Sequence, residues 1–206
     1  MKKIFLILSI LIFANCKAQY TSIESLENCF DCDQTGVYYK DLNNYLNTYE
    51  GTYIYSSGGV YFKMILQKKV VSNINNRYYE DILIGAYQYS DGTKNVNCLS
   101  ELNNNYSNGW YYPIEGNYIT VGKSKCDDCS PTEKWLYMTI HDQSTNSVSN
   151  FNLRKTVVGG QEAIKVYIRP PYRNNIINGD DPNSGTINYV EPPNYPVTQE
   201  ITLIKQ

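Results

Sequence analysis

Histidine is nearly absent from this sequence. His141 is the only one among 206 residues, so a Ser-His-Asp or Cys-His catalytic apparatus would have to use it. The residues around it alternate like a β-strand, which places Asp142 on the opposite face from His141 and makes it a poor partner for the imidazole. Gly-rich phosphate loops and histidine-based metal motifs are also missing. We therefore predict a protein that is not an enzyme and has no catalytic residues.

The sequence also lacks an excess of charge of either sign. It has 18 basic and 20 acidic residues, a net charge of −2. Removing a leader that contains Lys2 and Lys3 leaves 16 basic residues against 20 acidic ones, a net charge of about −4. Phosphate backbones would repel such a domain, so nucleic acid is not an expected partner.

Long apolar runs are missing except in residues 4–14, which are interrupted only by Ser9. That run is too short to cross a bilayer as a helix, and after the basic start Met1-Lys2-Lys3 it is typical of an export signal. We therefore predict a signal peptide over residues 1–18 and an exported protein.

Cys16 stands at the end of the apolar run, in Phe13-Ala14-Asn15-Cys16. This position resembles the lipobox of bacterial lipoproteins, although Asn15 stands where that pattern prefers a small residue. The resemblance implies that Cys16 becomes the first mature residue, carries lipid and anchors the protein to a bilayer of the cell envelope. The alternative is ordinary cleavage after Ala18, which would give a secreted protein.

Six cysteines divide into Cys16, a lone Cys98 and two C-x-x-C pairs, which are Cys29 with Cys32 and Cys126 with Cys129. Two such pairs can supply four thiolates to zinc. Export to an oxidising compartment favours disulfides instead, formed within each pair or between the pairs. We predict no cofactor, and the alternative is zinc on these cysteines.

The N-terminal third contains the one helical pattern. Residues 19–40 are polar and turn-prone, which predicts a tether. In residues 41–51, apolar side chains recur at helical spacing, with Asp41 as a cap and Gly51 as the end. This pattern predicts a short helix whose apolar face consists of Leu42, Tyr45, Leu46 and Tyr49.

Two glycine pairs predict β-hairpins. Gly58-Gly59 joins residues 52–57 to 60–67, and Gly159-Gly160 joins residues 149–158 to 161–169. With two-residue turns, both hairpins have one apolar face, so we expect the barrel interior to contain Tyr53, Tyr55, Phe62, Met64, Phe151, Leu153, Val166 and Ile168.

Period-two patterns also predict strands at residues 78–89, 94–99, 117–123, 134–142 and 198–205, whereas residues 170–197 form a long Pro-rich loop. About nine antiparallel strands with one buried face predict an all-β fold, a single β-barrel or strongly curled sheet over residues 41–206.

Two resemblances accompany this interpretation. Gly51-Thr52-Tyr53 after the helical segment resembles the Gly-x-Trp entry of lipocalin-like barrels, with Tyr in place of Trp. The chain also resembles a family of small secreted bacterial lipoproteins of unknown function, through Cys16-Lys17-Ala18-Gln19, Tyr49-Glu50-Gly51-Thr52, Gly85-Ala86-Tyr87-Gln88-Tyr89 and Leu203-Ile204-Lys205-Gln206. That resemblance implies an envelope location and one domain, and the family has no assigned activity.

Tyrosine is abundant, with 21 residues. Tyrosine suits recognition surfaces, although an AT-rich genome would also supply it. The consecutive aromatics Trp110, Tyr111 and Tyr112 cannot all be buried on one strand face, and they are the predicted ligand or partner residues. The carboxylate neighbours Glu80 and Asp81 are expected to be solvated.

We therefore expect a noncatalytic envelope lipoprotein that binds a small apolar or glycan-like ligand in or at the mouth of its barrel. The alternative is a protein-interaction or inhibitor module that acts through the aromatic loop. A third alternative is an envelope hydrolase built on carboxylates.

Overall fold

Strands make up most of the chain in the computed structural model, which describes residues 20–28, 32–122, 129–173, 193–197 and 200–206. These residues form the strands β1 Ser22–Ser25, β2 Val37–Lys40, β3 Gly51–Ser57, β4 Val60–Ile74, β5 Tyr78–Ser90, β6 Asn95–Asn97, β7 Ile114–Val121, β8 Lys134–Asp142, β9 Ser147–Val158, β10 Gln161–Ile168, β11 Tyr172–Arg173 and β12 Glu200–Lys205. They also form short 3-10 helices at Leu26–Asn28, Leu46–Tyr49, Leu99–Asn103 and Gly109–Tyr111. Within the described ranges, no helix has the length and apolar character needed to cross a membrane.

A closed antiparallel barrel of eight strands forms the body of the fold. Around the barrel the order is β5-β4-β3-β12-β10-β9-β8-β7, and β7 returns to pair with β5. Each barrel strand therefore lies beside the next barrel strand in sequence, and β12 closes the ring against β3. This arrangement confirms the predicted all-β barrel.

Both glycine-pair hairpins have the predicted register. Tyr55 lies opposite Phe62 in the first hairpin, and Leu153 lies opposite Val166 in the second. All four turn glycines have φ between 58° and 84°, and nothing lies within 4 Å of a Cβ built on any of them. The left-handed backbone of the turns, rather than crowding, therefore explains why glycine is found there.

The barrel interior is filled by side chains. Of the eight residues expected there, Tyr55 is partly buried, and the other seven are at most 1% exposed. Met138 and Tyr87 pack into the same core and are equally buried. Such complete burial is usual for an eight-stranded barrel with a packed interior. This packing argues against a ligand inside the barrel and directs attention to its mouth and outer face.

The predicted helix over residues 41–51 is wrong in extent, because only Leu46–Tyr49 is helical, as one 3-10 turn. The Asp41 carboxylate accepts the backbone N–H groups of Tyr45 and Leu46 at 2.8 and 2.9 Å, and Asn44 has a φ of 53°. These bonds hold a turn where a helix would begin. Leu42, expected on the apolar face, is 55% exposed.

The predicted tether over residues 19–40 contains part of the sheet. β2 pairs in parallel with the beginning of β5, and β1 pairs in parallel with β2. Val37, Tyr38 and Tyr39 are buried there. β5 has 13 residues but pairs with β7 only from Leu83 to Gly85, so its first residues are free to accept β2.

A buried carboxylate joins these N-terminal strands to the barrel. Asp81 accepts hydrogen bonds from the Tyr38 hydroxyl at 2.6 Å and from the backbone N–H groups of Asp41 and Val71 at 3.1 and 3.3 Å. The Lys68 ammonium lies 3.6 Å from Asp81 and 2.9 Å from the Asp41 carboxylate. Both carboxylates are 1% exposed, so Lys68 compensates charges that water does not reach.

The bulge in β4 is part of this network. The register with β5 shifts between Lys69 and Ser72, and Val71 has a φ of 51°, which is strained for a β-branched residue. The bond from the Val71 N–H to Asp81 supports that conformation. The bulge also extends β4 to Ile74, beyond the predicted end at residue 67.

Replacing Asp81 with asparagine is expected to lower the free energy of unfolding by about 3 kcal/mol, because the carboxylate oxygens accept the Tyr38 hydroxyl and two backbone N–H groups beside Lys68, whereas the asparagine NH2 would turn a donor toward one of these donors. Urea denaturation measures this loss. Asp33→Asn is the matched control, because Asp33 forms an exposed pair with Arg77 and should change the free energy by less than about 1 kcal/mol. Equal effects of the two changes would show that the buried network contributes little.

Candidate functional site

The barrel wall opens between β5 and β7. The two strands pair only where Leu83, Ile84 and Gly85 face Gly116, Glu115 and Ile114. Beyond Gly116, β7 bulges away from the β5 edge, with a register shift against β8 between Glu115 and Tyr118. The Asn117 side-chain amide bridges the opening by donating to the Asp81 carbonyl oxygen at 3.0 Å.

Glycine is required at the start of this bulge. Gly116 has a φ of 154°, and a Cβ built there would lie 2.7 Å from the Met138 Cα and 2.8 Å from the Tyr137 carbonyl oxygen. A side chain at this position would therefore push β7 away from β8.

A groove of about 310 Å³ lies on the outer face at this opening. Trp110, Tyr118 and Tyr137 supply aromatic walls, and the Tyr118 and Tyr137 rings meet edge to face at 6.4 Å. Glu115, Asn117 and Thr139 supply polar groups to the same groove. Aromatic surface combined with a few hydrogen-bonding groups is typical of a small-ligand site.

Trp110 is held in place by its own loop. The Asn108 side chain accepts the Trp110 backbone N–H at 2.9 Å, and the Gly109 N–H donates to the Ser72 hydroxyl at 2.7 Å. The indole Nε1 donates to Glu80 at 3.1 Å. The indole is 44% exposed, so its position is fixed while much of its surface remains open to solvent.

The three predicted aromatic residues of this loop have different environments. Trp110 lines the groove, whereas Tyr111 is 58% exposed and is not among the groove-lining residues. Tyr112 is 4% exposed and packs with Ile82 and Ile84 in a small cluster outside the barrel. Tyr112 therefore anchors the loop through its packing.

Glu80 is a functional candidate that the sequence analysis missed. It is 3% exposed, and burial raises the pKa of its carboxyl to about 7. Hydrogen bonds from Asn117 and Trp110 act in the opposite direction and lower that pKa, whereas the charge of Glu115 raises it. Glu80 thus lies behind the groove, where its carboxylate accepts the Trp110 indole N–H. A change in the protonation of Glu80 therefore acts on the hydrogen bond that holds this indole.

His141 does not form a catalytic triad with Asp142. Its Nε2 lies 3.6 Å from a carboxylate oxygen of Glu115, beyond hydrogen-bond distance. The Asp142 carboxylate instead accepts bonds from Ser144 and from the backbone N–H of Asn194. The sequence-based expectation about the two faces of this strand agrees with these contacts.

A smaller cavity of about 150 Å³ lies at one end of the barrel, beside Cys98, Val96 and Tyr87. Cys98 is a free thiol. Its Sγ donates to the Tyr87 carbonyl oxygen at 3.1 Å, and burial raises the pKa of the thiol to about 11. Burial therefore favours the protonated thiol, which is a weak nucleophile.

The remaining predicted cysteine sites stay predictions. Cys16, Cys29 and Cys126 lie outside the described residues, whereas Cys32 and Cys129 lie within them. Among the residues that the structure describes, no three His, Cys, Asp or Glu side chains come together as a metal site.

Comparisons with known proteins give one match. A model of a family of unknown function, DUF6705, matches residues 1–206. No curated protein and no solved structure matches the chain.

The raised pKa of Glu80 predicts how stability depends on pH. The folded protein holds the proton up to about pH 7, whereas an unfolded glutamate loses it near pH 4.5. The free energy of unfolding should therefore fall by up to about 3 kcal/mol between these two pH values and stay level above them.

Glu80→Gln should remove this fall, because glutamine mimics the protonated carboxyl. Urea denaturation at pH 5 and pH 8 measures the difference. Glu24→Gln, at an exposed carboxylate of β1, is the control and should keep the wild-type pH dependence. A pH dependence that survives in the Glu80→Gln protein would contradict this assignment.

Proposed function

The chain belongs to DUF6705, a family of unknown function, and from the geometry above we propose that it is a noncatalytic binding protein that holds a glycan-like ligand in the groove beside Trp110. The observation that carries this proposal is the half-exposed indole, fixed by Glu80 and Asn108, that faces an outer groove with polar walls.

The chemistry of the groove suits a sugar. Aromatic faces can cover the apolar face of a sugar ring, while Glu115, Asn117 and Thr139 can bond its hydroxyl groups. The groove volume of about 310 Å³ is at the small end of the usual range for ligand sites, which favours one or two rings.

We propose a noncatalytic function because only one of the two carboxylates near the groove lines it. Glu115 lines the groove, whereas Glu80 lies behind the Trp110 indole and is 3% exposed. A glycosidase needs both carboxyl groups at the scissile bond. Glu80 therefore serves as a positioning residue for Trp110, and the proposal requires no cofactor.

The proposed location follows from the leader. Residues 1–18 act as an export signal, and Cys16 carries the lipid that anchors the protein to the envelope; cleavage after Ala18 would release it instead. The support for this part of the proposal comes from the sequence, since the leader lies outside the described residues.

One observation favours a second candidate function, a protein-interaction module. Tyr111 is 58% exposed beside Trp110 and outside the groove, so the two rings together form an exposed aromatic surface. A protein partner would contact both rings, whereas a sugar in the groove would contact Trp110 alone.

Trp110→Ala is expected to weaken glycan binding at least tenfold, because it removes the aromatic wall that Glu80 holds in place. Tyr111→Ala is the matched control from the same loop and should leave the affinity unchanged. Calorimetric titration with neutral hexose and N-acetylhexosamine oligosaccharides, one to four sugars long, measures both.

Two outcomes would contradict the glycan proposal. If the wild-type protein binds none of these oligosaccharides, the groove is not a site for neutral glycans. If both variants lose a protein partner captured by crosslinking while oligosaccharides have no effect, the interaction module replaces it.

A further inference from the structure

A partly exposed apolar and aromatic face lies where the described chain begins. Ile23, Tyr38 and Tyr79 form one row across β1, β2 and β5, because they are register partners and share one face of the sheet. The Tyr20 ring packs on Tyr38 and Tyr79 with centroid distances of 4.9 and 6.0 Å. Ile23 is 53% exposed at the edge of this row. We name Tyr20, Ile23, Tyr79 and the neighbouring Val70 the N-terminal face.

Val70 extends this face across the β4 bulge. It is 60% exposed. The next residue, Val71, donates its N–H to the Asp81 oxygen that also accepts the Tyr38 hydroxyl. The bulge therefore lies beside the row of tyrosines, and Val70 and Ile23 flank it.

The exposed charged residue on this side of β2 is a lysine. Lys40 follows Tyr38 by two residues in β2, so it lies on the same side of the sheet, and it is exposed. Asp81 also lies on this side, but it is buried and balanced by Lys68. Glu24 alternates with Ile23 and lies on the other side.

Few residues separate this face from the cysteine that carries the proposed lipid. Tyr20 is the first described residue, and Cys16 precedes it by four positions. Even a fully extended chain spans only about 14 Å over four residues. A lipid on Cys16 therefore holds Tyr20 close to the headgroup layer, whatever the conformation of the residues between them.

We propose that the N-terminal face docks on the surface of a bilayer that contains anionic lipids, with Tyr20, Tyr79, Ile23 and Val70 in the interfacial layer and Lys40 among the headgroups. Tyrosine suits this layer because its ring is apolar and its hydroxyl remains in contact with water. Lys40 adds attraction to anionic headgroups. The inference rests on the proposed lipidation of Cys16, which sets the distance.

The test places a tryptophan on each side of the barrel. The mature protein, produced from the full chain, is reconstituted in vesicles of brominated phosphatidylcholine and phosphatidylglycerol. Trp110→Phe leaves only the buried Trp135 as a constant background signal. Into this chain we place Ile23→Trp, with Tyr79→Trp as a second probe. The control is Tyr167→Trp, a 38% exposed residue of β10, which lies four strands away from β5 around the eight-stranded barrel.

Brominated lipid should quench the Ile23→Trp and Tyr79→Trp probes at least twice as strongly as the Tyr167→Trp probe. Adding Lys40→Glu should reduce this difference. Equal quenching of all three probes on a protein whose Cys16 peptide carries acyl mass would overturn the docking face and leave the anchor intact. A Cys16 peptide without acyl mass would overturn both the anchor and the docking face.

Discussion

The buried Asp81 carboxylate is the contact on which the rest of this structure depends. It accepts bonds from β2, from the turn at Asp41 and from the bulge of β4, and Lys68 balances its charge. Its backbone carbonyl also accepts the Asn117 amide that bridges the opening in the barrel wall. One residue of β5 therefore fixes the N-terminal strands and also supports the edge of the candidate site.

Glu80 and Asp81 show how adjacent residues of a strand can serve two sides of a sheet. Asp81 turns toward the buried network, whereas Glu80 turns outward and holds the Trp110 indole at the groove. Asp81 stabilises the fold through its hydrogen bonds and its ion pair with Lys68. Burial raises the pKa of the Glu80 carboxyl to about 7, so the charge behind the groove changes near neutral pH.

Local patterns predicted the barrel well, because hairpin register depends on neighbouring residues. The glycine pairs fix the turns, and period-two alternation then specifies which side chains meet, as with Tyr53 and Met64. The helix at Asp41 was wrong because that side chain bonds nearby backbone groups and favours a turn. Glu80 and Asp81 were expected to be solvated, yet both are buried. Their partners Trp110 and Lys68 are distant in the sequence, so no local pattern reveals them.

We propose that this protein binds its ligand in the groove at the opening between β5 and β7 and not in the barrel interior. The most direct measurement follows the two tryptophan indole N–H signals by NMR while neutral oligosaccharides are added. If the ligand binds in this groove, the Trp110 indole signal moves together with the amides of Glu115, Gly116 and Asn117, while the buried Trp135 signal stays in place. Movement confined to Val96 and Cys98 at the end cavity, or to the core around Phe62, would contradict it.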